Sequence, residues 1–116
     1  MPALSVLTRR AMGAVLLLLL LAGAALAQPI AGTYRVEGRN PDGSPYQGSV
    51  TVTETDGALG FAWQVGSQSY QGQGQREGAV VRVDWGAQYP VVYVVMPDGE
   101  LHGTWSNGQA LERLIP

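Results

Sequence analysis

The chain has 116 residues, no cysteine, sixteen glycines, 14 % charged residues and a formal net charge of −2. One domain is the natural limit at this length, and the lack of cysteine excludes disulfide scaffolds, thiolate metal sites, thiol nucleophiles and lipid attachment at cysteine. All seven basic residues are arginines, two of them side by side at Arg9 and Arg10. No basic surface remains for nucleic acid, whose binding depends on neutralising phosphates.

Residues 1–27 have the three parts of a secretory signal peptide. Arg9 and Arg10 form the charged region, an uncharged run from Ala11 to Leu26 carries Leu16 to Leu21 in succession, and Ala25-Leu26-Ala27 is a small-x-small cleavage site. The run falls short of the about 20 residues that a comfortable membrane span needs. Thr8-Arg9-Arg10 admits twin-arginine export, but the leucine run and the lack of a cofactor motif favour the general secretory route. The expectation is an exported protein, periplasmic or secreted, with no stable membrane insertion after cleavage. Residues 28–116 keep five of the arginines, all nine acidic residues and all nine aromatic residues.

From residue 28 onward no window sustains apolar residues at i, i+3, i+4 and i+7. Period-two alternation takes its place, divided by Asp42-Gly43, Asp56-Gly57, Asp98-Gly99 and Asn107-Gly108, dipeptides suited to hairpins because glycine accepts positive φ. The predicted strands are 31–38, 46–55, 59–65, 69–76, 79–85, 90–96, 100–105 and 109–115. Short strands at about 8–12-residue spacing indicate an all-β sandwich or barrel.

Parity assigns the faces. One side carries Ile30, Tyr34 and Val36, then Tyr46, Val50 and Val52, then Leu59, Phe61, Trp63 and Val65. Tyr70 with Gly72 and Gly74, Val81 with Val83 and Trp85, and Leu101 with Gly103 and Trp105 continue it. Only Val91 to Met96 is apolar on both faces. One dry and one wet face per strand is the antiparallel pattern. The strands are too short for an outer-membrane barrel, which needs about 9–11 residues in each. Because every connection is hairpin-short, the prediction is an all-β, small antiparallel up-and-down barrel of about eight strands, calycin-like in kind, over residues 28–116. Closure also removes the exposed sheet edges.

Ser44-Pro45-Tyr46-Gln47-Gly48 is echoed by Gln68-Ser69-Tyr70-Gln71-Gly72, and Gly32-Thr33-Tyr34 by Gly103-Thr104-Trp105. Repeated packing, an inward ring lying on an inward glycine, explains these echoes more simply than repeated ligand contacts.

Little catalytic chemistry is on offer. His102, the only histidine, has outward parity, and the isolated turn aspartates do not make a calcium loop. Gly72-Gln73-Gly74-Gln75-Arg76-Glu77-Gly78 lacks the helix that a dinucleotide fingerprint requires. Neither a metal site nor a cofactor is expected. Glu54 and Glu112 have inward parity, and Arg76, inward as well, is the candidate partner of Glu112 in a structural polar plug. Eight strands enclose an interior that either fills with side chains or holds one small ligand. The many rings favour filling, whereas inward glycines at 32, 48, 72, 74 and 103 leave room for a small pocket. Tyr34, Trp63, Tyr70, Trp85 and Trp105 are the candidate ligand-binding residues.

Gly32-Thr33-Tyr34-Arg35-Val36-Glu37-Gly38, Asn40-Pro41-Asp42-Gly43-Ser44, Tyr46-Gln47-Gly48, and the closing Asp98-Gly99, Leu101, Gly103-Thr104-Trp105 and Glu112-Arg113-Leu114 together resemble a family of small exported bacterial proteins. Most members are uncharacterised and some carry a fibronectin-binding label. The aromatic after Gly-x in the first strand is also similar, more weakly, to the opening strand of lipocalin- and avidin-type barrels. The resemblance implies export and a binding role. The expectation is therefore a non-enzymatic binding module for a small apolar or aromatic ligand. The alternative is a module that recognises an extracellular protein, adhesin-like on fibronectin or matrix, or protease-inhibitor-like.

Overall fold

The computed structural model describes residues 28–116; the predicted signal peptide lies outside the described residues. Eight strands follow one another: β1 (Gly32–Arg39), β2 (Pro45–Thr55), β3 (Ala58–Val65), β4 (Gln68–Glu77), β5 (Val80–Asp84), β6 (Val91–Val95), β7 (Leu101–Trp105) and β8 (Ala110–Ile115). Each pairs antiparallel with its neighbours in sequence, and β1 pairs with β8 to close the barrel. This is the predicted up-and-down topology. Three connections have only two residues, and in one of them, Asp56-Gly57, φ is 52° and 81°. Positive φ at both central residues gives the hairpin a twist that matches its strands. Two of the longer turns are held by aspartate side chains, with Ser44 N donating to Asp42 Oδ1 at 2.9 Å and Glu100 N to Asp98 Oδ1 at 3.0 Å.

Parity is followed along most of the inner face, and in β6 the face that sequence left open is resolved. Val91 and Tyr93 point in and are buried, whereas Val94 is 45 % exposed. The interior is uneven along the barrel axis. At the end where the chain enters, Ile30, Tyr34, Val36, Val52, Leu59, Phe61, Val81, Leu101 and Leu114 form a continuous core. Fully burying such a side chain contributes about 1.5–3 kcal/mol. Ile30 stops this end, and its carbonyl accepts the Tyr34 hydroxyl at 2.6 Å. A stack of Trp63 on Phe61 (5.5 Å) and Phe61 on Tyr93 (5.8 Å) carries the packing to mid-barrel. Beyond that level, toward the loops that follow β1, β3, β5 and β7, the interior opens.

Three sequence expectations are corrected. Glu54 has inward parity but lies exposed, because β2 runs past the rim of the barrel at the closed end. Arg76 does not pair with Glu112. It is the penultimate residue of β4, at the closed end, donating from Nε to the Gly78 carbonyl at 2.8 Å and from Nη1 to the Gln28 carbonyl. Parity fixes the face of a residue but not its height along tilted strands, and these two inward residues sit at different heights. Gly32 carries no ring, since nothing lies within 4 Å of the position its Cβ would take.

Candidate functional site

The site begins with a row of residues across five strands. Register sets Tyr46 of β2 opposite Gly38 of β1, Gly38 opposite Glu112 of β8, Glu112 opposite Gly103 of β7, and Gly103 opposite Tyr93 of β6. Each glycine lets the neighbouring tyrosine ring lie flat over the strand toward the carboxylate. A Cβ at Gly38 would clash with the hydroxyl end of the Tyr46 ring, and one at Gly103 would meet the ring of Tyr93. Both hydroxyls thereby reach Glu112.

Glu112 is 6 % exposed and is the only buried charged residue among the described residues. Its Oε1 accepts from the Tyr46 hydroxyl at 2.9 Å; its Oε2 accepts from Trp63 Nε1 at 3.1 Å and from the Tyr93 hydroxyl. Trp105 Nε1 donates in turn to the Tyr46 hydroxyl oxygen at 2.9 Å, which commits the Tyr46 proton to the carboxylate. No buried side-chain polar atom among the described residues lacks a partner. Burial pushes the Glu112 carboxyl above its ordinary value, while the three donors pull against that shift. Burial, and then the negative charge of Glu112, raises both tyrosine hydroxyls, so they remain donors at neutral pH.

Above Glu112 the open half of the barrel is a cup of about 370 Å³. Its walls are Tyr46, Trp63, Tyr70, Trp85 and Trp105, with Val65 and Val91, Asn40 and Gln68 near the mouth and Glu112 at the floor. Four of the rings form a chain of edge-to-face contacts. Tyr70 meets Trp85 at 74°, Trp85 meets Trp105 at 86° and Trp105 meets Tyr46 at 70°. Trp85 Nε1 donates to the Tyr89 carbonyl at 3.0 Å, which ties the indole to the loop between β5 and β6.

Four of the five aromatic residues singled out from sequence, Trp63, Tyr70, Trp85 and Trp105, therefore share one cavity with Glu112. Tyr34 does not. It is buried at the opposite end, bonded to Ile30. Tyr46, Tyr93 and Gly38 were missed as site residues. The signal for Tyr46 was available, since its echo with Tyr70 places both at the start of a strand entering from the open end. The first echo thus marks two cup walls, and ring-on-glycine packing appears at Gly72 under Trp63 and at Gly74 under Phe61. His102 lies outside, with Nε2 at 2.8 Å from Glu100 Oε1 in an exposed pair. Set against family models, curated proteins and solved structures, the chain matches none.

Proposed function

We propose that this barrel is an exported, non-enzymatic binding module that takes one small molecule with an apolar or aromatic body into the cup. The observation that carries this reading is the cup itself, about 370 Å³ walled by three tryptophans and two tyrosines. That volume lies at the small end of the about 300–1,000 Å³ typical of ligand pockets, which are mostly apolar with a few placed polar groups. The packed half of the barrel provides a rigid base, and closure holds the rings without sheet edges to fray.

Intrinsic fluorescence tests it. Titration with a panel of neutral aromatics such as indole, phenol and naphthol should give a saturable change that Trp85→Leu weakens. A flat response across the panel would overturn the reading. Tyr70 and Tyr89, 38 % and 41 % exposed, favour a second reading: recognition of an extracellular protein such as fibronectin, in keeping with the family resemblance. Surface plasmon resonance on immobilised fibronectin, lost in a Tyr70→Ala/Tyr89→Ala variant while the small-molecule titrations stay flat, would favour this second reading.

A further inference from the structure

We infer that the cup selects an organic ammonium cation, its methylated head held among the rings of Tyr70, Trp85 and Trp105 above the Glu112 carboxylate. The inference rests on the reading of the cup as a small-molecule site and names the chemistry of the ligand.

Charge comes first. Glu112 is the only charged residue lining the cup. Its three bonded partners are neutral donors, two hydroxyls and an indole. A buried carboxylate held by neutral donors alone still lacks a countercharge, and a bound cation supplies one. Three converging donors match the ionised form, which accepts only.

The direction of the polar hydrogens is the second observation. Trp63 Nε1 points to Glu112, Trp85 Nε1 to the Tyr89 carbonyl and Trp105 Nε1 to Tyr46. The Tyr46 hydroxyl is spent on Glu112, and that of Tyr70 on Gln68 Oε1. The Asn40 amide donates to Ser44. All five aromatic walls have thus given their donors to protein acceptors, Tyr70 to Gln68 at the mouth, and they offer an incoming molecule π surface instead. Such a cup is hostile to anions.

Ring geometry is the third. Planes meeting at 74° and 86° along Tyr70, Trp85 and Trp105 make corners. A corner lets more than one ring address the same volume, and ring quadrupoles attract a cation placed there. A hard metal ion does not suit these walls, since calcium takes about 6–8 oxygen ligands. A primary ammonium would need three acceptors for its protons. A methylated head needs none.

The head of a free solute and that of a choline lipid share this chemistry, and one experiment separates the possibilities. Tryptophan fluorescence and calorimetry are used to titrate choline, and in parallel neohexyl alcohol, the uncharged isostere in which carbon replaces nitrogen. Choline should bind at least about tenfold more tightly than the alcohol. In Glu112→Gln, which keeps the shape of the floor, most of that preference should vanish. Trp85→Leu, at a half-buried wall, should weaken choline more than the alcohol and serves should the first variant fold poorly. Flotation with phosphatidylcholine but not phosphatidylglycerol vesicles would assign the head to lipid; choline binding without flotation would assign it to a free solute. Equal or tighter binding of the alcohol would overturn the inference and leave the small-molecule cup standing. So would silence toward both probes alongside binding of neutral aromatics. Silence toward every probe would remove both.

Discussion

Gly38→Ala adds one methyl group to β1 and should be among the most damaging small changes in this protein. The three atoms nearest the new Cβ would all belong to Tyr46, the ring carbons Cζ and Cε1 and the hydroxyl oxygen. The ring must swing off the strand. It then leaves both Glu112 Oε1 and Trp105 Nε1, each now 2.9 Å from its hydroxyl. Forcing an extra methyl into a packed interior costs about 1–3 kcal/mol, and losing a hydrogen bond to a charged group about 1.5–3 kcal/mol. The two overlap, because one movement of the ring causes both. A net loss of about 3 kcal/mol is expected, a fall in Tm of roughly 12–24 °C for a domain of this size. The control is the same substitution in a Tyr46→Ala background. Without the ring, alanine in a strand should be neutral or up to about 1 kcal/mol stabilising relative to glycine. Urea and thermal unfolding of the four proteins close a double-mutant cycle. A loss below 1 kcal/mol, or an equal loss in both backgrounds, would refute the ring-over-glycine account.

Further outcomes follow from the same network. Tyr93→Phe deletes a donor to Glu112 without changing volume and should cost about 1–3 kcal/mol in urea unfolding; an unchanged midpoint would mean that the hydroxyl contributes nothing. Gly72→Ala would bring a Cβ to 2.9 Å from the Asp84 carbonyl and 3.1 Å from Trp63 Cζ3. Since backbone cannot yield cheaply, a loss of about 1–3 kcal/mol and an altered Trp63 emission are expected. The pH dependence of stability has a definite sign. Burial holds the native Glu112 carboxyl above the ordinary 4.5, so just above that pH the native state binds more protons than the unfolded chain. This contribution is fully present below pH 4.5 and is lost as pH rises through the native value. Wild-type Tm minus that of Glu112→Gln should therefore decrease as pH is raised from below 4.5 toward neutrality, and a constant difference would refute this role.

Fold class was legible because a two-residue period and turn dipeptides are local signals. Asp56-Gly57, Asp98-Gly99 and Asn107-Gly108 each separate two strands where expected. Faces were legible for the same reason, and Trp63, Trp85 and Trp105 came out on the inner side. Height was not. Strands tilt in a closed barrel, so how far Arg76 or Tyr34 stands from Glu112 depends on how β8 meets β1 across the seam, a pairing between the two ends of the chain. Gly38 follows Val36 by two residues and could have been counted among the inward glycines, yet its purpose depends on Tyr46 across the sheet. Sequence alone also left β6 ambiguous, since valine alternates there with valine and tyrosine. The exposure of Val94 is decided by which residue of β5 it opposes.

The row from Tyr46 through Gly38, Glu112 and Gly103 to Tyr93 also bears on how the barrel closes during folding. A strand slipped by two residues keeps its inner face inward, so hydrophobic patterning alone tolerates that error. Shifting β1, with its hairpin partner β2, by two residues along β8 would keep the Tyr46 ring over Gly38 but set Val36 or Asn40 opposite Glu112. The Tyr46 hydroxyl would then miss the carboxylate, which would lose one of its three donors. Tyr46, Gly38 and Glu112 thus act as a key that fits a single alignment of the first strand on the last. In a chain without cysteine, a wrong closure has no disulfide to forbid it, and this polar row discriminates in its place.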